Sequence, residues 1–235
     1  MTGDRPAVIV LVAGTGTDIG KTWVSARLLE AWRRAGFSVA ARKPAQSFAP
    51  GSGPTDADVL GLASGEDPAA VCPLARSYPV PMAPPMAAAS LGLAAPSIAG
   101  LVGDLRWPSP PVDIGLVETA GGVRSPQADD GDVIDLMAAL SPDHVVLVAD
   151  AGLGTINAVR LSLAALTRAD RAGSATTTNF SSPPLVVLNR YDPSSDLHRR
   201  NRHWLRDIDA LDTTETTDAD LVALAERLAT GAGGG

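Results

Sequence analysis

Nine residues near the start of the chain, Gly14-Thr15-Gly16-Thr17-Asp18-Ile19-Gly20-Lys21-Thr22, combine glycines, a lysine and a threonine at a spacing suited to holding phosphate. They follow a short apolar run, Ala7 to Val12, and lead into an amphipathic stretch, so the order is strand, glycine-rich loop, helix. Such a loop turns successive backbone N–H groups inward, and the helix N-terminus adds partial positive charge. Lys21 can then reach the outer phosphates of a nucleoside triphosphate, and the Thr22 hydroxyl can sit on Mg²⁺. The strict pattern has glycine six positions before the lysine, where this chain has Thr15. The loop is therefore a variant. A plain strand-to-helix turn with a solvated lysine is the competing reading, and the flanking strand and helix speak against it.

Four further groups carry polar chemistry. Lys43-Pro44-Ala45-Gln46-Ser47 puts a lysine at a strand end, where it can neutralise charge developing on a transferring oxygen. Thr55-Asp56-Ala57-Asp58 offers carboxylates for Mg²⁺, which takes one or two and keeps several waters. The two aspartates lie two apart on a helix and cannot both face one ion; either is also an ordinary acidic residue of a first helical turn. Glu118-Thr119-Ala120-Gly121-Gly122 follows an apolar run, and a buried carboxylate there without a cation would be costly. Asp150-Ala151-Gly152-Leu153-Gly154-Thr155-Ile156-Asn157 is a second glycine loop entering a helix, either an anion site or a tight turn. Asn189, at another strand end, carries an amide able to read a nucleotide base. His198 and His203 with Arg199, Arg200, Arg202 and Arg206 read most simply as a solvated helical face. No grouping suggests a hydrolytic triad.

Positioning these groups takes a framework. The spacing predicts helices at about 21–35, 56–63, 155–167, 194–207 and 218–229, with a short turn at 86–89. Apolar runs predict strands at 7–12, 38–41, 113–117, 144–149 and 185–188. Strands apolar throughout and alternating with helices imply a parallel sheet covered on both faces, with ligands beyond the strand C-termini. Lys43, Glu118, Asp150 and Asn189 each follow such a strand and should meet at one edge beside the phosphate loop. At 235 residues the chain suits one α/β domain over 1–230, followed by a flexible glycine tail at 231–235. The polar run 173–184 reads as a mobile connection. A net charge of −7 argues against a nucleic-acid or anionic-membrane surface. The single cysteine, Cys72, excludes an internal disulfide. No export signal or membrane span is apparent, which points to the cytoplasm.

Taken in order, these elements resemble the dethiobiotin synthetase family, ATP-dependent enzymes that close the ureido ring in biotin synthesis. The resemblance covers roughly 7–190 and includes the non-glycine at Thr15, Lys43-Pro44 with Ser47, Asp56, Glu118 with Ala120-Gly121-Gly122, Gly154 to Asn157, and Asn189. It implies a P-loop NTPase-type three-layer α/β fold with a mostly parallel central sheet. It implies that Asp18, Ile19, Gly20, Lys21 and Thr22 hold the triphosphate together with Glu118, Thr119, Ala120 and Gly121. Asn189 and Arg190 would contact the base. Thr22, Asp56 and Glu118 would surround Mg²⁺, Asp56 being preferred over Asp58 because it precedes Gly65 by nine residues. Lys43 would be the catalytic lysine, and Thr17, Ser47 and Asn157 would bind substrate. The implied partners are a diamine acid, CO₂ and ATP, with a second copy of the chain in a homodimer whose interface lies near Gly154–Asn157.

The chain also departs from that family. Thr119 stands where a glycine is usual and would bring a β-branched side chain near the phosphates. Ala83-Pro84-Pro85 replaces Ser-Pro-His, and Asn157-Ala158 replaces Asn-His. A base-supporting Leu-Gly-x-Ile-Pro segment is absent after residue 190, and Arg124 could bind an additional anion. The alternatives are a paralogous ligase with another substrate, or a nucleotide switch of the MinD/ParA kind that binds a protein partner.

Overall fold

Runs of valine, isoleucine and leucine make the strands, and their burial shows why they need no polar face. In the computed structural model, which describes residues 4–167 and 183–230, every residue of β1 (Val8–Gly14) is buried. The chain continues through α1 (Lys21–Arg34), β2 (Val39–Arg42), β3 (Gln46–Ser47), α2 (Asp56–Ser64), α3 (Pro68–Val71), β4 (Ser77–Tyr78), α4 (Pro84–Ser90) and α5 (Ile98–Asp104). It then forms β5 (Ile114–Glu118), α6 (Val133–Leu140), β6 (His144–Asp150), α7 (Thr155–Thr167), β7 (Leu185–Asn189), α8 (Asp196–His203), β8 (Thr213–Glu215) and α9 (Asp218–Leu228). Beyond α8 the helix widens to π geometry over Trp204–Ile208.

Among the described residues the main sheet has strand order β2-β5-β1-β6-β7-β8, and every ladder in it is parallel. Because side chains alternate along a strand, β1 feeds two cores at once. Ile9, Leu11 and Ala13 meet Leu101, Leu136, Val159 and Leu205 on one face. Val8, Val10 and Val12 meet Leu28, Leu60, Leu221 and Leu224 on the other. Helices α1, α2, α3 and α9 therefore form one outer layer and α4 to α7 the other, the three-layer parallel fold that the alternation predicts. Trp32 ties α1 to α9 by donating its indole N–H to the Ala225 carbonyl at 2.8 Å. Truncating fully buried Leu28 to alanine would cost about 2–5 kcal/mol.

Caps end and start the helices that matter for the site. Thr55 and Asp58 form a reciprocal capping box, which fixes the first turn of α2 and hence Asp56. The expected turn at 86–89 is a longer helix, because Pro84 and Pro85 sit at its first positions, where a missing N–H costs nothing. The run expected to be mobile lies outside the described residues up to 182, as does the tail 231–235. Cys72 is buried, which lifts its thiol to about 12 and keeps it protonated. Among the described residues no helix is long and apolar enough to cross a membrane.

Candidate active site

The glycine loop leaves β1 and is held to its neighbours by backbone. Thr15 N–H donates to the Val148 carbonyl at 2.9 Å, extending the pairing with β6, and Val123 N–H donates to the Gly14 carbonyl at 3.0 Å. Gly20 has φ +88°, and a Cβ there would stand 2.0 Å from Asn189 Nδ2. Glycine is required on both counts. Lys21 folds back so that its Nζ donates to the Gly16 carbonyl at 2.8 Å. Burial, assisted by the charge of Lys43, lowers Lys21 to about 8.

Below the loop, the ends of β2 and β5 and the starts of α1 and α2 converge on a compact charge cluster. Glu118 is fully buried and accepts from Thr22 Oγ1 at 2.9 Å, Ser25 Oγ at 2.7 Å and Lys43 Nζ at 2.7 Å. Asp56 accepts from Thr22 Oγ1 at 2.7 Å and pairs with Lys43 Nζ at 2.7 Å. Burial alone would lower the Lys43 pKa, but Glu118 and Asp56 outweigh it and hold the ammonium charged. Burial likewise opposes ionisation of Asp56, yet Lys43 and the Thr22 hydroxyl bring its carboxyl below the ordinary value. Two carboxylates, each within hydrogen-bond reach of the Thr22 hydroxyl, form with it an all-oxygen donor set that fits Mg²⁺. Asp58 is turned away into the capping box with Thr55.

A cavity of about 750 Å³ opens over this cluster, lined by Thr17, Asp18, Gly20, Lys21, Thr22, Lys43, Ser47, Asp56, Ala120, Gly121 and Arg190, among others. Met82, Ala83 and Pro84 also line it. The residues expected to hold triphosphate, metal and substrate thus come together, with four differences. Thr119 is fully buried and its hydroxyl donates to the Val12 carbonyl at 3.3 Å, so its side chain does not crowd the cavity. Arg124 pairs with Asp132 at 3.0 Å and is not among the cavity-lining residues. Asn189 spends its Nδ2 on the Ile19 carbonyl at 2.8 Å, buttressing the loop instead of presenting that donor to a base. Asn157 is exposed on α7, away from the cavity of its own chain.

Arg190 joins Asn189 in holding the loop. In the left-handed region at φ 57°, it donates to the Asp18 carbonyl at 2.7 Å and to Asp150 at 2.9 Å. The second glycine loop is a tight turn: Asp150 accepts from Gly152 N–H at 2.8 Å, and Asn201 donates to the Ala151 and Gly152 carbonyls. Two further residues support the cluster. Ser25 lies three residues after Thr22 on the same helical face, a spacing that could have revealed it. Gln46 accepts from Ala57 N–H at 2.9 Å and so secures α2 beside Asp56, for which the sequence offers no local signal.

Comparison with known proteins decides between ligase and switch. An ATP-dependent dethiobiotin synthetase of Rhodococcus jostii is 43% identical over 169 residues, covering 72% of this chain and 71% of the relative. The chain belongs to the dethiobiotin synthetase family. A second synthetase of the family, from Caulobacter vibrioides, is 41% identical over 161 residues, 67% of this chain and 73% of the relative. A family model described as an AAA domain matches residues 9–191. Among solved structures, a plasmid partition protein of Borrelia burgdorferi superposes with a TM-score of 0.52 at 13% identity, covering 97% of both chains. At that identity the likeness shows the P-loop fold alone. The stretch matched by the family model contains every residue of the Thr22–Ser25–Lys43–Asp56–Glu118 cluster.

Proposed function

We propose that the protein is an ATP- and Mg²⁺-dependent cyclo-ligase that converts 7,8-diaminononanoate and CO₂ to dethiobiotin, in the cytoplasm, as a homodimer. The observation that carries this reading is Lys43 Nζ, 2.7 Å from both Asp56 and Glu118 beneath the phosphate loop. A neutral substrate amine attacks CO₂ and loses a proton to give a carbamate. A carbamate oxygen attacks the γ-phosphorus, forming a carbamic–phosphoric anhydride and releasing ADP. The second amine then attacks the carbamoyl carbon and expels phosphate, closing the ring.

The protein's part is placement and charge. Lys21 and the N–H groups of the glycine loop would hold the triphosphate. Thr22, Asp56 and Glu118 would hold Mg²⁺, which when bound neutralises charge on the phosphate oxygens. Lys43, kept cationic by its two carboxylates, would stabilise charge on the oxygen passing between carbamate and phosphate. Thr17 and Ser47, which both line the cavity, would orient the diamine.

Support for the homodimer is the outer face around α7, where Leu153 and Leu161 are 92% and 65% exposed with Asn157 between them. A second copy seated there would bury both leucines and bring Asn157 to its partner's cavity. Leu161→Glu should then convert the dimer to a monomer in sedimentation, whereas an unchanged mass would refute this interface. The reaction itself is tested by supplying 7,8-diaminononanoate, bicarbonate and Mg-ATP and following product by mass. Dethiobiotin should accumulate with one ADP per product. Absence of product with ATP binding intact would overturn the assignment.

A further inference from the structure

Gln127 is 2% exposed in a loop where a polar side chain of that size needs partners, and all of its partners are backbone. Its Oε1 accepts from Ala120 N–H at 3.0 Å, and its Nε2 donates to the Ala120 carbonyl at 2.7 Å and the Ser125 carbonyl at 3.1 Å. The amide thus brackets Ala120 as a neighbouring strand would. The Gln127 backbone is itself fixed, since its N–H donates to the Gly131 carbonyl at 3.0 Å beside the Ala128–Gly131 bridge.

The Ala120 N–H and the Thr119 carbonyl belong to one peptide unit, which is planar, so fixing one end orients the other. That carbonyl accepts from Lys43 Nζ at 3.3 Å. Gln127, the Thr119–Ala120 peptide and Lys43 therefore form a continuous hydrogen-bonded chain in which each bond polarises the next. The sequence reading assigned nothing to Gln127, and the cluster around Lys43 is complete without it.

We infer that Gln127 is a positioning residue for Lys43, acting through the Thr119–Ala120 peptide to aim the ammonium at the oxygen transferred between carbamate and phosphate. The inference rests on the cyclo-ligase reading. Gln127 touches no substrate. Without it the peptide can rotate, the carbonyl withdraws, and Lys43 relaxes onto its carboxylates alone.

Two variants of the full chain test this, Gln127→Leu and Gln127→Glu, each assayed by steady-state kinetics with ATP affinity and thermal unfolding measured alongside. Gln127→Leu should lose kcat by about tenfold to a hundredfold, the scale of a misplaced catalytic group, with ATP affinity changed less than about twofold. Gln127→Glu keeps the acceptor for Ala120 N–H and, when protonated, the donor as well. Its kcat relative to wild type should therefore rise as pH falls, a limb that the wild-type profile lacks. Wild-type kcat in the leucine variant, an equal loss of ATP affinity, or no extra pH limb in the glutamate variant would overturn the inference. So would failure of both variants to fold, which would make Gln127 structural. Wild-type product formation in the same assay tests the cyclo-ligase reading separately, so the two failures are distinguishable.

Discussion

At the carboxyl edge of the sheet, the charged residues beside β1, β2 and β5 and those at the ends of β6 and β7 sit under opposite conditions. On the first side Lys43 and Glu118 are buried, and Glu118 alone receives three hydrogen bonds. On the second, the Arg190–Asp150 pair is 59% and 41% exposed, and Arg190 reaches the phosphate loop through a backbone carbonyl. A desolvated charge cluster interacts at low dielectric and does not rearrange, whereas an exposed pair is screened and worth little. In the proposed reaction the buried side would stabilise charge on the oxygen passing between carbamate and phosphate. The open side props up the loop.

This contrast breaks most visibly at Lys43. Lys43→Met leaves Glu118 buried without its cation. Turnover should fall about 10²–10³-fold, as when a preorganised charge stabiliser is lost. Folding stability should fall by about 3–5 kcal/mol in urea denaturation without metal, and Mg²⁺ should restore part of it. Next comes the seam between the sides. In Gly20→Ala the new methyl meets Asn189, at a φ that costs about 1–3 kcal/mol by itself, so ATP affinity should fall about tenfold or more by calorimetry. The double variant with Asn189→Ala should recover only the part owed to collision.

A smaller effect separates the lysines by pH. The unfolded chain holds the Lys21 proton to 10.5 and the folded chain only to about 8, so folding expels that proton between these values. The Lys21 contribution to stability therefore rises with pH across the window, in the absence of nucleotide. ATP needs the proton back, so its affinity should weaken above pH about 8, and Lys21→Arg should flatten that decline. The smallest effect belongs to the open side. Arg190→Ala should cost at most about 1 kcal/mol of stability and raise the KM for ATP only a few-fold, leaving kcat unchanged.

The same difference in burial governs what the sequence discloses. Lys43, Glu118, Asp150 and Asn189 were legible because each ends an apolar strand, and parallel strands bring their C-termini to one edge. For Thr119 and Arg124, sequence proximity to the phosphates does not say which way a side chain turns. The Val12 carbonyl took the Thr119 hydroxyl, and Asp132 took Arg124. Strand β8 is Thr-Thr-Glu, too polar and short to show as an apolar run, and only its ladder to β7 defines it. Helix α6 carries a readable signal, the Asp132–Asp135 capping box across its first turn, whereas α5 is interrupted by Gly100 and Gly103. Gln127 left no local trace, because its partners lie within a loop whose path follows from tertiary packing.

In the proposed reaction ATP activates a carboxylated amine at the Lys43 cluster. The direct measurement is a short-time reaction of the wild-type protein with diamine, Mg-ATP and ¹⁸O-labelled CO₂, with both products read by mass. If the carbamate is phosphorylated, released phosphate carries one ¹⁸O from CO₂ and the new ureido carbonyl keeps another. Labelled dethiobiotin alongside phosphate free of ¹⁸O would show that ATP activates something other than the carbamate.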